Sequence, residues 1–182
     1  MHDLTLLGIP GALRKSSANR LLLAEARRLF GDANHTEADL RLPLYDGDLE
    51  TSEGIPQLVL TLAGQIAAAD AIVIATPEYN KSVPGVLKNA LDWVSRVKGN
   101  VWRDTPVAIC SAADGRGGGD RAQFALRLCL TAFRPRLITG PEVMVANSST
   151  AFGPDGRLLD PRTVTGLTEL MEVLRAEVLR GR

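Results

Sequence analysis

The residues best suited to chemistry cluster near the start of the chain, in Gly8-Ile-Pro-Gly-Ala-Leu-Arg-Lys-Ser-Ser-Ala-Asn-Arg20. This stretch follows Leu4-Thr-Leu-Leu7, an apolar run that reads as a short buried strand. It precedes Leu21 to Phe30, where Leu22, Ala26, Leu29 and Phe30 recur at helical spacing. A loop between a strand and a helix start meets the free backbone N–H groups and the positive end of the helix dipole, which favour an anion. Arg14, Ser16, Ser17 and Asn19 add side-chain donors, so the stretch reads as a phosphate cradle. It lacks the Gly-Lys-Ser/Thr of a P-loop and the G-x-G-x-x-G of a dinucleotide fold. One Arg and one Asn among hydroxyls suit a single terminal phosphate better than a pyrophosphate. A helix N-cap loop uses the same residue types only to satisfy backbone donors, and the loop alone does not separate these readings.

Little else in the chain can do acid–base or metal chemistry. The two histidines, His2 and His35, have no partner at metal-ligand spacing. A His general base or a His-based triad is therefore not expected. Cys110 and Cys129 fall in expected core elements without a C-x-x-C arrangement, as for reduced, buried thiols of a cytoplasmic protein. No metal site is expected. If the chain is an enzyme, a cofactor must carry the chemistry.

The chain has 182 residues, 45% apolar and 23% charged, enough for one domain, 1–182, with a substantial core. Its 21 basic and 21 acidic residues balance, so no basic stripe marks a nucleic-acid partner. No run is long enough to span a bilayer, and Asp3 and Pro10 interrupt any signal-peptide pattern.

The elements that must position the first loop follow in order. Glu37 to Leu42 alternates polar and apolar residues and reads as an edge strand, ended by Pro43, and Leu44 to Gly54 reads as a polar loop. Pro56 opens a helix with Leu58, Val59, Leu62, Ala63 and Ile66 on its apolar face. Ala71-Ile-Val-Ile-Ala75 has the unbroken apolar, β-rich pattern of a central parallel strand. Thr76 to Pro84 is a loop before a helix with Val83, Val86, Leu87, Ala90, Leu91 and Val94 on one side. Thr105 to Ser111 is a fourth strand, Ala112 to Asp120 a glycine-rich loop, and Arg121 to Phe133 a helix. A fifth strand is expected in two pieces, Leu137–Thr139 and Val143–Val145, split by Gly140-Pro141. The last helix starts near Pro161, with Val164, Leu167, Leu170, Met171, Leu174 and Val178 inward.

Strands and helices therefore alternate five times, which implies an α/β fold with a parallel sheet and helices on both faces. Ligands of such sheets bind beyond the carboxyl ends of the strands, where the strand order reverses. Three loops, Gly8–Arg20, Thr76–Pro84 and Ser111–Asp120, leave carboxyl ends near that point.

The sequence resembles the NADPH-dependent FMN reductase family of the flavodoxin-like fold, which includes bacterial quinone and chromate reductases. The longest match is Pro77-Glu-Tyr-Asn-Lys-Ser-Val-Pro-Gly-Val-Leu-Lys-Asn-Ala-Leu-Asp-Trp93, against P-E-Y-N-x-S-x-P-G-x-L-K-N-A-x-D-W. Gly11 to Asn19 matches G-S-x-R-x-x-S-x-N, and Gly115 to Gln123 is similar to the family's glycine-rich loop ending in R-A-Q. Two departures stand out. Ala12 replaces the usual Ser, and Asp114 and Arg116 place charge in the third loop.

The resemblance implies a flavodoxin-like three-layer sandwich with five parallel strands in the order 2-1-3-4-5. It implies FMN as cofactor and NADPH or NADH as co-substrate. The FMN phosphate would bind Arg14, Ser17 and Asn19, with Ser16 partly compensating for Ala12. The flavin ring would meet Pro77, Glu78, Tyr79 and Asn80 on one side and the loop from Ser111 through Gly115 and Gly118 on the other. Trp93 would serve a core or dimer contact, and Lys88, Asn89 and Asp92 the helix surface or packing. The implied activity is hydride transfer through FMN to quinones or similar small acceptors by a ping-pong scheme, in a homodimer or homotetramer. A flavodoxin-like electron carrier is the rival reading, although such carriers are usually strongly acidic. A flavin-less regulatory relative is the second rival.

Overall fold

The computed structural model describes residues 3–180; His2 lies outside them. Among the described residues six strands form one parallel sheet: β1 (Thr5–Pro10), β2 (Asn34–Glu37), β3 (Ala71–Thr76), β4 (Pro106–Ala112), β5 (Arg136–Leu137) and β6 (Val143–Val145). The order is β2-β1-β3-β4-β5, with β6 also pairing with β4, so the expected order 2-1-3-4-5 holds; the fifth strand is split as expected, its first piece at Arg136–Leu137 and not Leu137–Thr139. The helices are α1 (Ala18–Phe30), α2 (Gly47–Glu53), α3 (Gln57–Ala68), α4 (Gly85–Val94), α5 (Asp120–Leu130) and α6 (Pro161–Arg180).

Side chains alternate across the central strands and feed two cores. Leu6, Val73, Ala75, Ala108 and Cys110 face α1 and α6. Leu7, Ile9, Ile72, Ile74, Val107 and Ile109 face α3, α4 and α5. All six residues of β3 are buried, which explains why that strand reads as an unbroken apolar run. Each fully buried Leu or Ile contributes on the order of 1.5–3 kcal/mol, so this central strand anchors both layers. Gly8 leaves room on the α1 side: a Cβ there would lie 3.6 Å from the methyls of Leu23.

Several elements depart from the sequence expectation. The edge strand is Asn34–Glu37, not Glu37–Leu42. Its partly exposed Asn-His-Thr-Glu carries no apolar signal, while the buried Ala38 and Leu40 beyond it pack as extended chain into the second core. The expected polar loop at 44–54 contains α2, which buries no side chain and so shows no periodicity. Its start is fixed locally, by Asp46 accepting the Asp48 N–H at 2.9 Å. Leu58, expected on the apolar face of α3, is exposed, and Leu29 is only half-buried while Leu23 takes its place. α5 ends at Leu130 and continues as a short 3₁₀ turn to Phe133. Cys110 is buried, but Cys129 is only half-buried.

Trp93 is a core residue: it is fully buried and its indole N–H donates to Pro43 O at 2.8 Å. Asn89 is buried beside it and ties Pro43 O and the Tyr45 N–H. Lys88 and Asp92 form an exposed pair on the outer face of α4.

Candidate functional site

The sheet reverses its strand order between β1 and β3, because β2 lies on one side of β1 and all later strands on the other. A cavity of about 850 Å³ opens at the carboxyl ends there, which is the position expected for a ligand of such a sheet. It is walled by the loops after β1, β3 and β4, with Ser148 from the turn after β6.

The first wall is the loop before α1. Ser17 is the N-cap of α1 and its Oγ accepts the Asn19 N–H at 3.3 Å. The first turn of α1 has no acidic residue, so its dipole is left for an outside anion. Arg14 lines the cavity, exposed; its carbonyl accepts the Ser17 N–H at 3.1 Å, and its guanidinium makes no ion pair or hydrogen bond among the described residues. Gly11 lets this loop press on the next one: its N–H donates to Ala75 O at 2.8 Å, and a Cβ would come within 3.1 Å of Thr76 and Pro77.

The second wall is Pro77 to Lys81. Tyr79 and Ser82 exchange backbone hydrogen bonds at 3.1 Å around a two-residue turn. Asn80 and Lys81 fill it with φ of 49° and 65°, the left-handed region where Lys is unfavourable. Glu78 accepts the Arg121 N–H at 3.1 Å and pairs with its guanidinium at 3.6 Å, joining this loop to the start of α5.

The third wall is the glycine-rich loop. Gly118 and Gly119 have φ of 58° and 97°. A Cβ on Gly118 would sit 2.8 Å from the Met144 backbone, and one on Gly119 would sit 2.8 Å from Ser111 Cβ. These glycines are needed for packing against the neighbouring strands. Asp114 Oδ1 accepts the Ser149 N–H at 2.7 Å and the Ser148 hydroxyl at 3.1 Å. Those hydrogen bonds, and then the charge of Arg14, hold its carboxyl below the usual value. Among the described residues no cluster of three or more His, Cys, Asp or Glu could hold a metal.

Of the residues singled out from sequence, Arg14, Ser17, Asn19, Pro77, Glu78, Tyr79, Asn80, Gly115 and Gly118 line this one cavity. Ser16 and Ser111 do not. Ser16 is exposed in the first loop but is not part of the wall. Ser111 is fully buried, donating to Gly118 O at 2.7 Å and accepting from Gln123 Nε2 at 2.8 Å, so it braces the third loop from behind. Asn19 reaches the wall, but its amide is committed: Nδ2 donates to Ala112 O at 2.8 Å and Oδ1 accepts the Ala112 N–H at 3.0 Å. It clamps α1 to the end of β4, which leaves the second N–H of Nδ2 as its one side-chain donor not engaged by Ala112. Lys81, Arg121 and Ser148 line the cavity without having been singled out. Ser148 belongs to no motif; its only signal is a polar Asn147-Ser-Ser-Thr turn after a short apolar strand.

The fold and this cavity define the class of flavodoxin-like flavoenzymes. A family model for NADPH-dependent FMN reductases matches residues 4–150, and the chain belongs to that family. It is 41% identical over 182 residues to an NAD(P)H-dependent FMN reductase of Pseudomonas aeruginosa, covering 99% of this chain and 98% of that one. It is 37% identical over 171 residues to a quinone reductase of Escherichia coli K12, covering 92% and 91% of the two chains. A solved structure of FerB, a flavoenzyme NAD(P)H:acceptor oxidoreductase of Paracoccus denitrificans, superposes with a TM-score of 0.86 at 30% identity, over 97% of this chain and 98% of that one.

The residues present fit FMN. The cradle before α1 offers a helix start without its own carboxylate and an unpaired Arg14. The cavity volume lies in the range of small-ligand and cofactor sites.

Proposed function

We propose that the chain is an NAD(P)H-dependent FMN oxidoreductase that passes electrons to quinones or similar small acceptors. The observation that carries this reading is the convergence of three loops on one cavity at the strand-order reversal, with an unpaired Arg14 at the α1 start. Bound FMN would supply the two-electron chemistry, taking hydride from the nicotinamide and passing electrons on. The chain's own part is to hold, orient and shield.

Arg14 and the α1 backbone hold the phosphate, and Ser17 caps the helix while its hydroxyl hydrogen remains available to the same anion. Pro77 to Asn80 and the stretch through Gly115 and Gly118 bracket the ring. Ala12 contributes no hydroxyl, and Arg14 therefore carries a larger share of the phosphate interaction. No side chain is needed as acid or base in the flavin half-reaction. Nicotinamide and acceptor use the same open face in turn, which gives ping-pong kinetics. The chain acts as one FMN-binding domain, in the cytoplasm, as a homodimer or homotetramer. Among the described residues no helix is long and apolar enough to cross a membrane.

Purified protein should take up FMN at micromolar concentration and then catalyse quinone-dependent NADPH oxidation with parallel double-reciprocal lines. Tight FMN without turnover would favour an electron carrier, and no FMN uptake would remove both readings.

A further inference from the structure

The cavity wall sets four cationic side chains against three carboxylates, Glu78, Asp114 and Asp120, and not all of the cations are paired. Four cationic side chains line it: Arg14, Lys81, Arg116 and Arg121. Arg121 is paired with Glu78 at 3.6 Å and Asp120 at 3.9 Å. The third carboxylate on the wall, Asp114, accepts from Ser148 and Ser149 and keeps its charge, with Arg14 as the cation acting on it. Arg14 belongs to the cradle before α1. Lys81 and Arg116 are left, exposed on two separate loops, with no ion pair or hydrogen bond among the described residues.

Their settings share a second feature. Lys81 occupies the second left-handed position of the Tyr79–Ser82 turn, where Gly or Asn is favoured. Arg116 stands between Gly115 and Gly117, and a Cβ on Gly117 would come within 2.7 Å of Asp120 Oδ1. Both cations line the cavity from its second and third walls.

We propose that Lys81 and Arg116 together bind the ribose 2′-phosphate of the hydride donor and make the enzyme select NADPH over NADH. This rests on the nicotinamide reading above. A terminal phosphate monoester carries close to two negative charges near neutral pH. Two unpaired side-chain cations match such a group, Arg through paired N–H donors and Lys as a point charge. The donor's pyrophosphate is common to NADH and NADPH and cannot discriminate between them. Neutral quinones give these cations no anion to hold.

The test uses the FMN-loaded protein with Lys81→Gln, Arg116→Gln and the double variant. Isothermal titration with 2′,5′-ADP and 5′-AMP reads the 2′-phosphate without any reaction. In the wild type 2′,5′-ADP binds tighter than 5′-AMP by roughly tenfold or more, as expected for charge-assisted contacts. In the double variant the two affinities converge, and the NADPH-to-NADH ratio of kcat/KM falls by the same factor. Lys81→Gly, which suits the left-handed turn, repeats the single-variant loss without disturbing the loop, and Lys81→Arg restores most of it.

Equal loss of 5′-AMP and 2′,5′-ADP, no loss of either, or a parallel loss of FMN would overturn the assignment. So would variants whose only change is slower reaction with an anionic quinone sulfonate. A wild type reduced equally well by NADH and NADPH overturns this assignment alone. A wild type that binds no FMN, or is reduced by neither nucleotide, overturns the underlying function instead.

Discussion

Replacing Asn19 should unlock the first loop from the sheet. Its buried amide closes both polar groups of Ala112, at 2.8 Å to the carbonyl and 3.0 Å from the N–H. Asn19→Ala leaves those two buried groups unpaired, at about 1–3 kcal/mol each. Water entering from the adjoining cavity offsets part of this, so the expected loss is about 2–4 kcal/mol. For a domain of this size each kcal/mol lowers the melting temperature by about 2–4 °C, which gives a drop on the order of 4–16 °C. Asn19→Asp should be worse near neutral pH, because a carboxylate then faces the Ala112 carbonyl. It should recover in part on acidification, when a protonated carboxyl can donate again. The assay is calorimetric melting of the flavin-free protein beside FMN titration. An Asn19→Ala protein that melts like wild type but has lost FMN would refute the brace and make Asn19 a direct ligand.

Arg14→Ala should do the reverse, weakening FMN roughly tenfold or more through the lost charge-assisted contact while leaving the flavin-free melting temperature within about 1 °C; fluorescence titration against melting decides this, and matched losses would reduce the loop to a helix cap. The Ser149 amide should titrate with Asp114 at a midpoint below 3.8. Because the folded value is depressed, the stability from this tie is present above the unfolded Asp range and disappears as pH falls through the folded value; two-dimensional NMR shows it, and a midpoint above 3.8 would contradict the geometry. Cys110 is fully buried, and desolvation pushes its thiol up to about 12. It should resist disulfide reagents at pH 8 until the protein unfolds, as mass mapping of labelled peptides would report; rapid native labelling would show that the core opens there.

Much of the architecture was legible because local and tertiary signals agreed. β3 is apolar throughout because both its faces are buried, and α6 repeats its apolar residues every three or four positions because one face meets the sheet. The Pro77–Trp93 stretch carried the family because it combines a tight turn, a helix start and a buried Trp. What remained hidden had no local signature. The short edge strand Asn34–Glu37 is held by its ladder to β1 and not by a buried face. α2 has no fully buried residue and is held by its cap and by Glu50, which pairs with Arg96 and accepts from the Tyr45 hydroxyl. Asn19 reads as a loop donor until the chain brings Ala112 beside it, 93 residues away. Ser111 and Gln123, likewise, show their bracing role only once Gly118 and Val143 are in place.

Electron transfer from nicotinamide through FMN to a quinone is tested by anaerobic addition of NADPH to the FMN-loaded protein, followed by one equivalent of a quinone. The flavin absorbance should be lost on the first addition and return in full on the second, each within the time of catalytic turnover. Flavin that stays oxidised with NADPH and NADH alike, in protein that binds FMN, would contradict it.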